Sequence, residues 1–167
     1  MGIIERPRRL RSTASIRALV RDTYVVPGSL ILPIFIREGL TAPKPISGMP
    51  GVVQHTKESF KAEIDGALQA GIGGVMIFGI PQERDAVGTQ ALNSEGVLSS
   101  AIRDARNIAG DDLVVAADLC LDEFTSHGHC GVLDAQGSID NDATLKIYGE
   151  MAQVLASSGA HMVGTSG

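Results

Sequence analysis

Apolar residues fall into two kinds of block along the chain. The first kind is short and unbroken: residues 30–36 (LILPIFI), 74–79 (GVMIFG), 112–120 (DLVVAADLC) and 161–166 (HMVGTS). Runs of this length suit strands buried in a parallel sheet. The second kind is spaced to line one face of a helix: Ile16, Leu19 and Val20; Phe60, Ile64, Ala67 and Leu68; Val97, Leu98, Ala101, Ile102 and Ala105; Leu145, Tyr148, Ala152 and Leu155. Ser12 is the expected cap of a short helix over 13–22, and Thr56 caps the second helix. Gly71 and Gly159 end the second and fourth. Pro33 is awkward inside its strand, because it cannot donate a ladder hydrogen bond. Residues 39–56, with Pro43, Pro45 and Pro50, read as loop, and residues 120–140 as a second, long loop.

Strand alternating with helix predicts an α/β fold with a parallel sheet, either doubly wound or part of a closed barrel. A dinucleotide fingerprint would favour the first. The only candidate, Gly71-Ile72-Gly73-Gly74-Val75-Met76, follows a helix and precedes a strand, the reverse of what phosphate binding needs, and Met76 stands where the third glycine belongs. It reads as a helix end with tight helix–strand packing.

Length and composition narrow the class. The chain has 167 residues, which predicts one domain, and 4% aromatics with no Trp, so Leu, Ile, Val, Ala and Met must build the core. A net charge of −5 argues against nucleic acid as partner. Arg6, Arg8, Arg9 and Arg11 form a local basic run, read as an arm that packs on a neighbouring subunit rather than one that binds anions. Two cysteines make no disulfide framework. No stretch approaches the roughly 20 apolar residues of a membrane span. No basic-then-apolar leader opens the chain, and Arg6 stands where a myristoylation signal needs Ser or Thr, so a cytoplasmic location is expected.

Chemistry concentrates after the third strand, in Asp118-Leu119-Cys120-Leu121-Asp122-Glu123-Phe124-Thr125-Ser126-His127-Gly128-His129-Cys130-Gly131. Both cysteines and two of the four histidines of the chain lie here, past the end of a parallel strand, where α/β enzymes place their sites. Singly, each residue has an ordinary reading: Asp118 caps a turn, a Cys is a small buried hydrophobe, His127 and His129 are solvated. Together, Cys120, Asp122 and Cys130 have the character of a metal site with two soft thiolates and one hard carboxylate. An open fourth position makes the metal catalytic, and His129 in that position makes it structural. The residue types leave these two readings, and the reading without metal, open.

The stretch DLCLDEFTSHGHCGVLD resembles the metal loop of the porphobilinogen synthase (5-aminolevulinate dehydratase) family. RPRRLR, LILPIFIREG, ISGMPGVVQHT and DNDATL occur in the family's order and spacing, so the resemblance covers residues 6–166. It implies a (β/α)8 barrel of TIM type, with residues 1–22 as N-terminal arm and short helix and residues 23–167 as the first half of the barrel. It also implies a large homo-oligomer, an octamer, without nucleic acid or membrane. The implied reaction condenses two molecules of 5-aminolevulinate, with loss of two waters, to porphobilinogen for tetrapyrrole (heme) synthesis. Cys120 and Cys130 match two of the family's three zinc cysteines, and Asp122 stands at the third. Zinc is therefore the expected metal, with magnesium a competitor. Asp118 matches a carboxylate near the substrate amino group, and Ser166 a serine lining the substrate pocket.

The family activates its substrate through two Schiff-base lysines at later strand ends. Lys57, Lys61 and Lys146 fall on helices and Lys44 in a Pro-rich loop, so none fits. The expectation is a truncated enzyme sequence, inactive alone. Two other readings are a degenerate half-barrel serving as metal-binding or oligomer-interface module, and a half-barrel completed by a partner chain. Four strands of eight would leave LILPIFI and HMVGTS as open edges.

Overall fold

The computed structural model describes residue 4 and residues 7–167; Arg6 and the other residues of the expected arm's start lie outside the described residues. Helix Ala14–Val20 (α1) comes first. Ile31–Arg37 (β1), Lys44–Pro45 (β2), Val53–His55 (β3), Lys57–Gln69 (α2) and Gly74–Ile80 (β4) follow, then Val97–Ala109 (α3), Val114–Leu119 (β5), Asn141–Ser157 (α4) and Met162–Thr165 (β6). One six-stranded sheet runs in the order β2-β3-β1-β4-β5-β6. All its pairings are parallel except β2 with β3.

The expected α/β alternation is present. Two short strands also lie inside the expected loop 39–56: β2 and β3 are too brief to leave a periodic signature, and Pro45 sits on the outermost strand, where a missing donor costs nothing. They alter the expected edges. β1 is not an edge strand, because β3 pairs with Phe35 and Ile36; the edges are β2 and β6, and the sheet does not close on itself. Pro33 is tolerated because it pairs with Met76 of β4 on one side, while β3 begins only beyond it on the other.

The helix caps follow side-chain chemistry. Thr13, not Ser12, caps α1 by accepting the Ile16 amide at 3.1 Å, whereas Ser12 donates to the Arg9 carbonyl. No residue of α1 is fully buried and Leu19 is 82% exposed, so among the described residues its apolar face is left largely uncovered. Thr56 caps α2 in a reciprocal box with Ser59. Gly71 ends that helix at φ +69°, a conformation that strains any side chain.

Pleating gives the sheet two unlike faces. Ile34, Ile36, Val75, Ile77, Val115 and Ala117 are buried on one, in a single core with Phe60 and Ile64 of α2, Leu98 and Ile102 of α3, and Met151 and Leu155 of α4. The other face carries Phe35 stacked on Phe78 at 4.8 Å, with Met76, and these remain only half-buried. Asp118 projects on this second face, opposite Gly164 of β6. Among the described residues, no helix is long and apolar enough to cross a membrane.

Candidate metal and carboxylate site

β5 is buried along nearly its whole length and delivers Asp118 and Cys120 to its C-terminal end, 5% and 3% exposed. Ser166, just past β6, donates to Asp118 Oδ1 at 2.6 Å, so the two adjacent strands present a hydroxyl–carboxylate pair. Burial raises the Asp118 pKa; the Ser166 hydrogen bond opposes this and the nearby Asp122 charge adds to it.

The loop after β5 turns back on itself to return Cys130 to the same place. The Ser126 amide donates to the Asp85 carbonyl at 2.8 Å, tying the loop to the one that follows β4. His127 accepts the His129 amide on Nδ1 at 3.1 Å, which leaves Nε2 to donate to the Ala86 carbonyl at 3.0 Å. The fully buried Thr125 closes the turn by donating to the His129 carbonyl at 2.9 Å, and Gly128 supplies the positive φ of +72°. His127 is thus a structural clasp, not a solvated residue.

The donor atoms of Cys120, Asp122 and Cys130 lie within 4.8 Å of one another. Donors bound to one zinc ion, at about 2.0–2.3 Å each, sit roughly 3.3–3.8 Å apart at tetrahedral angles, so a contraction of about 1 Å or more would close the set. Asp122 Oδ1 is buried without a hydrogen-bond partner among the described residues, an arrangement that suits a bound cation. The residues therefore fit a metal of the thiolate–carboxylate class. His129 joins no such cluster among the described residues, so the expected fourth ligand of a structural site is not in place.

A second group overlaps the first: Asp118, Asp122 and Glu123 also lie within 4.8 Å. Burial, then hydrogen bonding to Asp122, pushes the Glu123 carboxyl up to about 8. Hydrogen bonding to Glu123 holds Asp122 below the usual carboxylate value. Burial pushes the Cys120 thiol up to about 12, so without a metal it is protonated. Tyr148, assigned from sequence only to the apolar face of α4, donates from its hydroxyl to the Cys130 carbonyl at 2.5 Å and lies 3.9 Å from Cys120 Sγ. Sequence reasoning missed this role; the available signal was a phenol on a core-facing position, which needs a polar partner.

The lysines lie elsewhere. Lys57 and Lys61 of α2 pair with Asp104 of α3 at 3.5 and 3.6 Å, Lys146 is on α4, and Lys44 is in β2 rather than in a loop. None stands at the C-terminal end of β1, β4, β5 or β6.

Residues 4–167 match the family model described as delta-aminolevulinic acid dehydratase. A Streptomyces coelicolor protein named delta-aminolevulinic acid dehydratase is 55% identical over 164 residues, covering 97% of this chain and 50% of the relative. A Mycobacterium tuberculosis protein of the same name is 51% identical over 165 residues, covering 98% and 50%. The chain thus spans about half the length of these curated relatives. Its fold is similar to the crystal structure of the Toxoplasma gondii delta-aminolevulinic acid dehydratase (porphobilinogen synthase) in complex with the reaction product porphobilinogen, with TM-score 0.86 and 35% identity over 96% of this chain and 46% of that one.

Proposed function

The chain belongs to the delta-aminolevulinic acid dehydratase family, and on that premise we propose that it supplies the metal-and-carboxylate half of a site that condenses two 5-aminolevulinate molecules to porphobilinogen. In this reading residues 23–167 are the first half of a (β/α)8 barrel whose remaining strands continue from the β6 edge. Residues 1–22, with the unburied α1, are an arm that packs on another subunit of a homo-oligomer. The half-buried Phe35, Met76 and Phe78 support the first point, since side chains of further strands would finish covering them.

One observation carries the chemical reading: Cys120, Asp122 and Cys130 converge around an unpartnered Asp122 oxygen, beside the Asp118–Ser166 pair. Asp118 and Ser166 bind and orient the substrate amino group, the carboxylate accepting from it and the hydroxyl fixing the carboxylate. Burial strengthens that contact, because an ammonium group restores the charge balance that desolvation disturbs. Glu123, with its raised pKa, holds a proton near neutral pH close to the reacting atoms. Bound zinc, or magnesium in its place, would polarise a substrate carbonyl or lower the pKa of a water. Covalent activation of substrate needs an amine at a strand end, which the second half of the barrel must provide.

Zinc retention tests the reading. The purified chain should hold one zinc that a chelator removes, and Cys130→Ala should abolish it. Equal zinc content in the two proteins would refute the donor set.

A further inference from the structure

We propose that Tyr148 is a positioning residue for the metal site: its hydroxyl latches Cys130 of the loop to α4 and so holds the two thiols and Asp122 in one donor set. The inference rests on the metal reading above and concerns a residue outside that donor set.

Three features carry it. Cys130 is exposed and lies ten positions along an irregular loop from Cys120, so secondary structure alone does not keep their sulfurs together. The Tyr148 hydroxyl meets that loop at the Cys130 carbonyl, at 2.5 Å, and at Cys120 Sγ, at 3.9 Å, touching both cysteines at once. The ring end of the same residue packs against the core under α4, so the phenol is a rigid post and not a swinging side chain. Other ties hold the loop before and after Cys130, at Ser126 to Asp85, His127 to Ala86 and Val132 to Thr144 of α4, but the Tyr148 hydroxyl is the one that meets Cys130 itself. Gly167 confirms how close the post stands to the strand ends, because a Cβ there would collide with the hydroxyl.

The phenol proton is donated to one acceptor at a time. The Cys130 carbonyl takes it, at 2.5 Å, because Cys120 Sγ stands farther off at 3.9 Å. With a metal bound, Cys120 would be held as thiolate, and the same hydroxyl would stand beside an anionic sulfur. Outer contacts of this kind commonly change metal affinity 10- to 100-fold.

Tyr148→Phe keeps the ring and removes only the hydroxyl. Two readouts on the full chain decide the matter. In the first, cobalt(II) replaces zinc as a spectroscopic probe, and thiolate-to-cobalt absorption is titrated. Affinity should fall about 10-fold or more, with an altered absorption band, while the melt of the metal-free protein changes little. In the second, the metal-free proteins are alkylated under native conditions. Cys120 is only 3% exposed, so its reaction reports loop opening and should run several-fold faster in the variant. An unchanged alkylation rate, or an unchanged cobalt affinity, overturns the proposal. Absence of cobalt absorption in the wild type refutes the metal reading itself, and the alkylation ratio then decides alone whether the hydroxyl holds the loop.

Discussion

Replacing Asp122 by Ala should change stability in opposite directions with and without metal. In the metal-free chain Asp122 Oδ1 is buried with no partner, and a buried polar group left unsatisfied costs about 1–3 kcal/mol. Asp122 also stands against Asp118 and Glu123, and its charge helps to raise both their pKa values. Removing it relieves both penalties but also breaks the hydrogen bond to Glu123, worth about 0.5–1.5 kcal/mol, so the metal-free variant should be more stable by about 1 kcal/mol. For a domain of this size that is roughly 2–4 °C in Tm. Zinc reverses the order. A ligand at 100 times its Kd stabilises the folded state by about 2.7 kcal/mol, and a variant that has lost a ligand binds more weakly and gains less. Thermal or urea melts in chelator and in excess zinc measure both states. A variant less stable than wild type in chelator would show that Asp122 has structural partners of its own and is not held for a cation.

Three further outcomes follow from the same structure. Zinc binding must displace the Cys120 proton, whose pKa of about 12 lies above any working pH, so affinity should rise at least tenfold per pH unit; a flat profile in competition with a chelator would exclude Cys120 as ligand. Burial lowers the His55 pKa in the folded chain, so the unfolded chain binds the extra proton and stability should fall as pH drops below 6.5. His55→Gln should flatten that part of the pH profile, and an unchanged profile would show that His55 is not its source. Borohydride treatment of this chain with 5-aminolevulinate should trap no adduct, because none of Lys44, Lys57, Lys61 and Lys146 stands at the C-terminal end of β1, β4, β5 or β6; a stoichiometric adduct on any of them by mass would contradict the assignment.

The hydrophobic pattern was informative wherever an element was long enough to show its period. β1, β4, β5 and β6 lie within two residues of their expected limits, and α2, α3 and α4 bury Ile64, Ile102 and Leu155 as their spacing requires. β2 and β3 were illegible because strands this short have no period, and their pairing depends on contacts distant in sequence. Leu145 was expected on the core face of α4 yet is 57% exposed, since a helix period does not reveal where its covering layer ends. In the site, the residue types of Cys120, Asp122 and Cys130 were visible from spacing and chemistry. The loop clasp of His127 and the latch of Tyr148 were not, because both depend on which carbonyl a distant loop presents. The raised pKa of the half-buried Glu123 was likewise legible only once its depth was known.

The central claim is that this chain contributes working metal and carboxylate groups to a porphobilinogen-forming site and lacks the amines to act alone. A chimera tests it most directly, with residues 4–167 of this chain replacing the matched segment of a full-length family member, assayed for porphobilinogen from 5-aminolevulinate. The chimera should form porphobilinogen, and Asp118→Asn or Cys130→Ala within it should lower the rate at least 100-fold, by analogy with loss of a single electrostatic contact in other active sites. A folded, zinc-loaded chimera that makes no product, or one whose rate survives both substitutions, would contradict the account.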